Sequence, residues 1–163
     1  MVSKNNKSFG QALIAECDRR LFGESLPKIK KCLSELTQDE IWFRPNSETV
    51  SIGNLVLHLC GNVRQWITSS LGGAEDTRRR SREFSETGPI PTAELQSLLE
   101  TTMKEARTAM LKLDPSTLLD KRMVWGSEQS GISILVHVVE HFSYHVGQIV
   151  YFVKSRKAID LAF

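Results

Sequence analysis

Four histidines carry most of the chemistry that this sequence offers, and three of them lie close together near its end. His137, His141 and His145 follow one another at intervals of four residues inside an apolar run. Side chains four residues apart on a helix are about 5–6 Å apart at Cβ, so two imidazoles with this spacing can bind one metal ion. The fourth, His58, lies far upstream. Together the histidines could form a three-imidazole site.

The apolar pattern around the three C-terminal histidines indicates which of them face the core. One helical stripe contains two of them among apolar residues: Ile134, Val138, His141, His145, Ile149 and Phe152. His137 lies beside this stripe, so we expect it to support the site rather than to bind metal. One buried histidine is usually explained by hydrogen bonds, since an unpartnered ring nitrogen costs on the order of a few kcal/mol. Two histidines on one buried stripe, facing a third histidine on another helix, favour metal binding.

The number and type of ligands limit the chemistry. Imidazole suits zinc, nickel, copper and iron, and the spacing does not separate these metals. Three neutral protein ligands leave at least one coordination position open. An open position is typical of a catalytic metal site rather than a closed structural one.

Four long helices must position these residues. Apolar residues at steps of three and four predict them at about residues 22–36, 51–72, 92–113 and 130–154. A capping box, Thr37 with Glu40, predicts a short helix that ends near Pro45. The segment from Asp120 to Gly131 has the weakest pattern, and Val124-Trp125-Gly126 within it is predicted as a loop or a brief extended piece. This pattern favours an all-α four-helix bundle, with one domain spanning residues 1–163.

Two of these segments resemble signatures of the DinB/YfiT-like superfamily. Residues 140–149, EHFSYHVGQI, are similar to its last-helix signature, and residues 51–59, SIGNLVLHL, to its second-helix signature with one metal-binding histidine. Arg82-Glu83-Phe84 resembles its usual motif between helices, and segments 26–29 and 42–45 also fit. The resemblance spans nearly the whole chain, and the two histidine motifs are its specific part.

The resemblance implies a four-helix bundle in up-down-down-up order that is often dimeric. It also implies a divalent metal, zinc or nickel, held by His58, His141 and His145, and the imidazole set would also accept iron. Many relatives have arginine where Val146 stands here, so this chain lacks that charge. Some members transfer low-molecular-weight thiols, and others are isomerases or hydrolases of thiol conjugates. A thiol on an open metal position is held deprotonated, whereas bound water would serve hydrolysis.

Four polar residues near the histidines are candidates to line or support the pocket. Asn54 and Asn62 flank His58 at intervals of four, and Tyr144 and Gln148 flank His145. Helix packing explains the asparagines equally well, and we expect Tyr144 to pack at an interface. Cys60 falls on nearly the opposite helix face from His58, so we expect a buried structural thiol.

Composition and charge exclude several other classes. The formal net charge of +2 gives no general attraction to nucleic acid. The dense basic run, residues 78–82, is interpreted as a solvated connection. Three scattered cysteines, Cys17, Cys32 and Cys60, favour a reducing compartment. Because Met1–Lys7 leads into no apolar stretch and no run is long enough for a membrane span, we expect a cytoplasmic protein.

Three functional hypotheses follow. The first is a metal-dependent transferase for a small thiol and an electrophilic substrate, with metal-dependent hydrolysis as a variant. The second is a non-catalytic bundle in which the metal, or histidine hydrogen bonds alone, stabilises a dimer. The third is a stress protein that contacts nucleic acid through its arginines.

Overall fold

The computed structural model describes residues 4–88 and 90–163. Met1, Val2 and Ser3, on which part of the prediction about the N-terminal segment depends, lie outside the described residues, as does Pro89. None of the described helices is long and apolar enough to cross a membrane.

The first long helix begins well before Phe22, the first residue of its predicted stripe. It consists of α1 (Lys4–Asp18), a π-helical segment (Arg19–Ser25) and α2 (Leu26–Ser34), and its junctions keep right-handed helical dihedral angles. Ile29, Cys32 and Leu33 form its buried face in α2. The apolar stripe predicted the position of this face.

The capping signals set the starts of the next two helices. Thr37 and Glu40 form the predicted capping box of α3 (Gln38–Trp42). Ser51 forms another with Asn54 at the start of α4 (Ile52–Val63), which continues as a π-helical segment, Arg64–Ser69. Ten residues of α4 are buried, so this helix lies in the middle of the protein.

A short helix and a hairpin join the remaining long helices. The connection after α4 contains α5 (Arg80–Ser85), and it leads to α6 (Thr92–Leu111). A 3₁₀ turn, Pro115–Thr117, precedes the strands β1 (Lys121–Val124) and β2 (Ser127–Ser130), and α7 (Gly131–Lys157) follows directly. The predicted solvated run at residues 78–82 is therefore partly helical.

The two strands form an antiparallel hairpin with a two-residue turn. Lys121 pairs with Ser130 and Val124 with Ser127. Trp125 and Gly126, between them, have φ values of +48° and +79°. Positive φ at both positions is the pattern of a type I′ turn, which matches the twist of the strands. Of Val124-Trp125-Gly126, for which a loop or a brief extended piece is expected, Val124 is thus extended and Trp125 and Gly126 form the turn, and the hairpin itself was not predicted.

The core is built from apolar faces of all four long helices. α4 packs against α6 and α7, and α2 also packs against α7. Fully buried side chains from each helix meet there, among them Leu33, Leu59, Leu99 and Phe142. The all-α fold class is confirmed, while the up-down-down-up order stays a prediction.

Candidate metal centre

The contact between α4 and α7 brings the three predicted ligands together. His58 lies in the buried middle of α4, and His141 and His145 lie one turn apart on α7. Each offers one ring nitrogen, and these three nitrogens all lie within 4.8 Å of one another. Among the described residues, these three histidines form a group able to hold a metal ion. His58 and His141 are 83 positions apart in the sequence, so the group depends on the packing of α4 against α7.

The distances between the rings fit a shared ion. His58 Nε2 lies 3.0 Å from His141 Nε2. The ring centroids of His58 and His145 are 5.1 Å apart, and those of His141 and His145 are 4.6 Å apart. Nitrogen ligands at about 2.0–2.1 Å from a tetrahedral metal lie roughly 3.3 Å from each other. Little movement is therefore needed for the first pair to share one ion.

Glu83 determines which nitrogen of His58 faces the other imidazoles. His58 Nδ1 lies 2.8 Å from Glu83 Oε2, and both side chains are buried. When Nδ1 carries the proton and donates it to this carboxylate, Nε2 keeps its lone pair and points toward His141. A carboxylate behind a histidine is the usual way in which proteins orient a metal ligand.

Arg78 in turn holds Glu83. Its Nε donates to Glu83 Oε1 at 2.7 Å and its Nη2 to Glu83 Oε2 at 2.9 Å. Its Nη1 donates to Gln65 Oε1 at 2.9 Å, and Gln65 Nε2 donates to Asp76 Oδ2 at 2.8 Å. Burial acts to raise the pKa of Glu83, but hydrogen bonds from Arg78 and His58 outweigh it and lower that pKa. The carboxylate is thus kept charged beside His58.

The interpretation of the whole basic run as solvated is wrong for Arg78. Its side chain is only 6% exposed because it pairs with Glu83 and Gln65 inside the protein. Arg79, Arg80 and Arg82 are exposed, as expected of a solvated run. The sequence analysis did not predict the roles of Arg78 and Glu83. The motif Arg82-Glu83-Phe84, which resembles a superfamily motif, was the feature that could have indicated a role for Glu83.

A glycine in α4 makes the approach of Glu83 possible. A Cβ on Gly61 would overlap Glu83 Oε1 and would lie 3.0 Å from Arg78 Nε. Glycine in a helix interior is unfavourable by roughly 1 kcal/mol relative to alanine. Gly61, one turn after His58, therefore leaves the space that Glu83 occupies. The sequence alone did not reveal this role.

The two α7 histidines have environments that suit metal binding. Burial, followed by the neighbouring His145 and His58, lowers the pKa of His141 to about 3, so this ring is neutral at physiological pH. Its Nδ1 is buried and has no hydrogen-bond partner among the described residues. A hydrogen-bonded core histidine would not leave this nitrogen alone. The unpartnered Nδ1 therefore argues against a fully hydrogen-bonded core histidine, while the nitrogen available to a metal is Nε2, which faces His58 Nε2.

Gln148 holds His145 from the side away from the cluster. His145 Nδ1 lies 2.7 Å from Gln148 Oε1, which can only accept, so Nδ1 carries the proton. Nε2 is then free to face the other histidines. Burial lowers the pKa of His145, and the Gln148 hydrogen bond acts in the opposite direction.

His137 lies beside the three-histidine group, not within it. Its ring stacks on Trp66, with centroids 3.9 Å apart, and its Nε2 lies 3.3 Å from Asn62 Nδ2. Burial lowers the pKa of His137. Asn62 Oδ1 is buried without a hydrogen-bond partner among the described residues. Asn62 thus contacts His137 rather than a predicted ligand.

The other candidates occupy the edges of the site. Asn54 is fully buried and its Nδ2 donates to the backbone oxygens of Glu83 and Glu86 at 2.9 and 2.8 Å. It therefore fixes the segment that carries Glu83. Tyr144 is 64% exposed, with its ring 5.1 Å from that of His145. Cys60 is buried, and burial raises its pKa to about 12, which makes it a poor ligand.

Comparison with known proteins agrees with this fold. Residues 9–162 match the family described as Protein of unknown function (DUF1572). The fold is similar to the crystal structure of a DinB-like protein, YjoA, from Bacillus subtilis, with a TM-score of 0.68 and 16% sequence identity. The alignment covers 93% of this chain and 96% of that one. No curated protein matches the sequence. The fold expected from the resemblance to the DinB/YfiT-like superfamily is confirmed by this likeness.

Proposed function

This chain belongs to the DUF1572 family, and from its site we propose that it binds one divalent metal ion through His58, His141 and His145. The observation that carries this proposal is the convergence of three imidazole nitrogens within 4.8 Å of one another. The charged Glu83 behind His58 supports it. Neutral imidazoles suit zinc or nickel, and also iron.

We further propose that the site is catalytic and that the protein is a metal-dependent transferase of a small thiol. A metal with three protein ligands has an open position and can hold a thiol in its deprotonated form. In the transfer, the thiol would lose its proton to solvent, its sulfur would bond to an electrophilic carbon, and the leaving group would depart with the electron pair of the bond that breaks. Glu83, Arg78 and Gln148 contribute by fixing the rings of His58 and His145.

A cavity on the Gln148 side of His145 has room for a small molecule. It has a volume of about 570 Å³, and Gln148, which contacts His145, forms part of its wall. Apolar side chains dominate the rest of the lining, among them Phe43, Ile52, Leu55 and Phe152. Pockets of about 300–1,000 Å³ with apolar walls and a few polar groups are typical of small-molecule sites.

An assay with one alanine variant separates this proposal from a structural role for the metal. The zinc- or nickel-loaded protein is incubated with 2-mercaptoethanol and 1-chloro-2,4-dinitrobenzene, and thioether formation is followed by absorbance. His145→Ala should abolish transfer while the circular dichroism spectrum is unchanged. His137→Ala, the matched control, should retain transfer. Loss of the fold or of the dimer in His145→Ala, with no transfer by the wild type, would support the metal-stabilised bundle instead.

A homodimer is proposed from the exposed face of α7. Val136, Tyr144 and Tyr151 share this face and are 49%, 64% and 76% exposed. Apolar and aromatic side chains in a row are typical of an interface. Sedimentation velocity should give a dimer for the wild type and a monomer for Tyr151→Glu. A monomeric wild type at micromolar concentration would contradict this proposal.

A reducing, cytoplasmic location is proposed from the cysteines. Cys17, Cys32 and Cys60 are all free and buried. Proteins of oxidising compartments more often use their cysteines in disulfides.

A further inference from the structure

One side of the metal centre is bordered by a cluster of aromatic rings around an exposed arginine. The ring of Phe84 lies 4.7 Å from that of His58, measured between centroids. The Arg80 guanidinium carbon lies 4.9 Å from the Phe84 centroid and 6.0 Å from the Trp125 centroid. A single ring, Phe84, thus separates the Arg80 charge from a proposed ligand.

The Arg80 side chain has no ion-pair or hydrogen-bond partner among the described residues. Arg78 differs because it pairs with Glu83, whereas the side chains of Arg79 and Arg82 also have no such partner among the described residues. Arg80 is distinguished from Arg79 and Arg82 by its ring contacts. The contacts of Arg80 are the two aromatic rings, which approach from different segments of the chain. Rings that stack on a guanidinium restrict its motion and leave its N–H groups free to bind an anion.

Trp125 occupies an unusual backbone conformation at this place. It is the first turn residue of the β1–β2 hairpin, with φ of +48°, and its side chain is 72% exposed. A type I′ turn strongly prefers asparagine, aspartate or glycine at this position, and a bulky residue there is strained. Strain of this kind, combined with exposure of a large aromatic ring, is typical of a residue retained for binding.

From these observations we propose that Arg80 and Trp125 form the substrate-binding edge of the metal centre and recognise a small thiol that carries a carboxylate. The carboxylate pairs with the Arg80 guanidinium, the carbon chain packs on Trp125 and Phe84, and the thiol extends toward His58, His141 and His145. This inference rests on the proposed metal-dependent thiol function and specifies its substrate class.

Two thiols of equal length provide the direct test. 6-Mercaptohexanoate and 6-mercapto-1-hexanol are titrated into the zinc-loaded protein and followed by calorimetry. A charge-assisted contact to arginine makes a difference of about tenfold or more in affinity, in favour of the carboxylate. Arg80→Gln should remove this preference. Arg79→Gln, the exposed neighbouring arginine, should keep it. Equal affinity of the wild type for both thiols, or an unchanged preference in Arg80→Gln, would overturn the proposal.

Trp125→Asn separates binding from folding. Asn-Gly is a favoured type I′ turn, so this variant should melt at the same temperature as the wild type or higher. Its affinity for 6-mercaptohexanoate should fall about three- to tenfold, because the aromatic contact is lost. A lower melting temperature with unchanged affinity would show that Trp125 only stabilises the hairpin, contrary to the proposal.

Hexanoate and 1-hexanol, which lack the thiol, distinguish this inference from the proposed function. Binding of hexanoate that Arg80→Gln removes, without binding of either thiol to the metal-loaded protein, supports the anion site and contradicts the transferase. If both thiols bind more tightly than hexanoate and 1-hexanol, and the carboxylate and the alcohol of each pair bind equally, the result supports the thiol function and contradicts the anion site. Failure of both hexanoate and 6-mercaptohexanoate to bind overturns the anion site.

Discussion

At the scale of single residues, two hydrogen bonds decide how the imidazoles face one another. With the proton on Nδ1 of each ring, Glu83 Oε2 accepts a hydrogen bond from His58 Nδ1, and Gln148 Oε1 accepts one from His145 Nδ1. In both rings Nε2 is left with its lone pair on the side of the cluster. Ring orientation therefore does not depend on the metal alone, since neighbouring side chains fix it in advance.

Replacement of Glu83 tests this orientation. Glu83→Gln keeps an acceptor for His58 Nδ1 but removes the charge that strengthens the bond, so zinc affinity should fall about 10- to 100-fold. Competition with a chromogenic chelator measures the dissociation constant. Glu75→Gln is the matched control, because Glu75 is exposed on the same connection, and it should bind zinc like the wild type. Equal affinities for both variants would rule out the orienting role of Glu83.

Some residues of the site could be predicted from the sequence, and others could not. His141 and His145 could be predicted because helical spacing is local, and His58 because its helix resembles a superfamily signature. Arg78 and Glu83 could not be assigned by the same reasoning, because a basic run in a connection normally points to solvent. Their burial depends on a three-dimensional contact with α4. In that contact Glu83 meets His58, which lies 25 positions earlier in the chain.

At the scale of elements, α4 and α7 are the two helices that form the site. Each contains a glycine near a proposed ligand, and the space around the two glycines differs. Gly61 of α4 lies under the Glu83–Arg78 pair, whereas a Cβ on Gly147 of α7 would meet open space. The two positions form a natural pair for comparison, since both are helical glycines within one turn of a proposed ligand.

Alanine at these two positions should have opposite effects. Gly147→Ala should raise the free energy of unfolding by up to about 1 kcal/mol, through the better helix propensity of alanine. Gly61→Ala should lower it and should also weaken zinc binding, because Glu83 must move away from His58. Urea denaturation of the metal-free proteins measures the first quantity, and chelator competition the second. A stabilised Gly61→Ala with unchanged zinc affinity would show that the close approach of Glu83 is unimportant.

Helix boundaries illustrate why elements were only partly predictable. The capping box of Thr37 and Glu40 fixed the start of α3, because both partners lie within four residues. The hairpin before α7 was not predicted, since four-residue strands with Trp125-Gly126 between them carry a weak local signal. Its turn is nevertheless where the proposed substrate-binding edge lies.

At the scale of the whole molecule, one core accommodates all three thiols. Cys17, Cys32 and Cys60 are buried between the long helices. Burial raises their pKa values to about 11, 11 and 12, respectively. A thiol with so high a pKa is almost entirely protonated near neutral pH, and the thiolate is the reactive form. The sulfur used in the proposed transfer must therefore come from the substrate.

Thiol labelling tests this assignment. With Ellman's reagent at pH 8, the folded protein should react very slowly, and all three cysteines should react after denaturation in guanidinium. Ser34→Cys, at an exposed position of α2, is the positive control and should react at once in the folded state. Rapid labelling of one native cysteine would instead identify an accessible nucleophile within the protein.

The central claim is that His58, His141 and His145 share one divalent metal ion, and anomalous diffraction tests it most directly. Crystals of protein purified without chelators, or soaked in zinc, are measured on both sides of the metal absorption edge. The predicted result is one anomalous peak at bonding distance from a nitrogen of each histidine, absent in His145→Ala. The contradicting result is a wild-type crystal with no peak among the three rings after soaking.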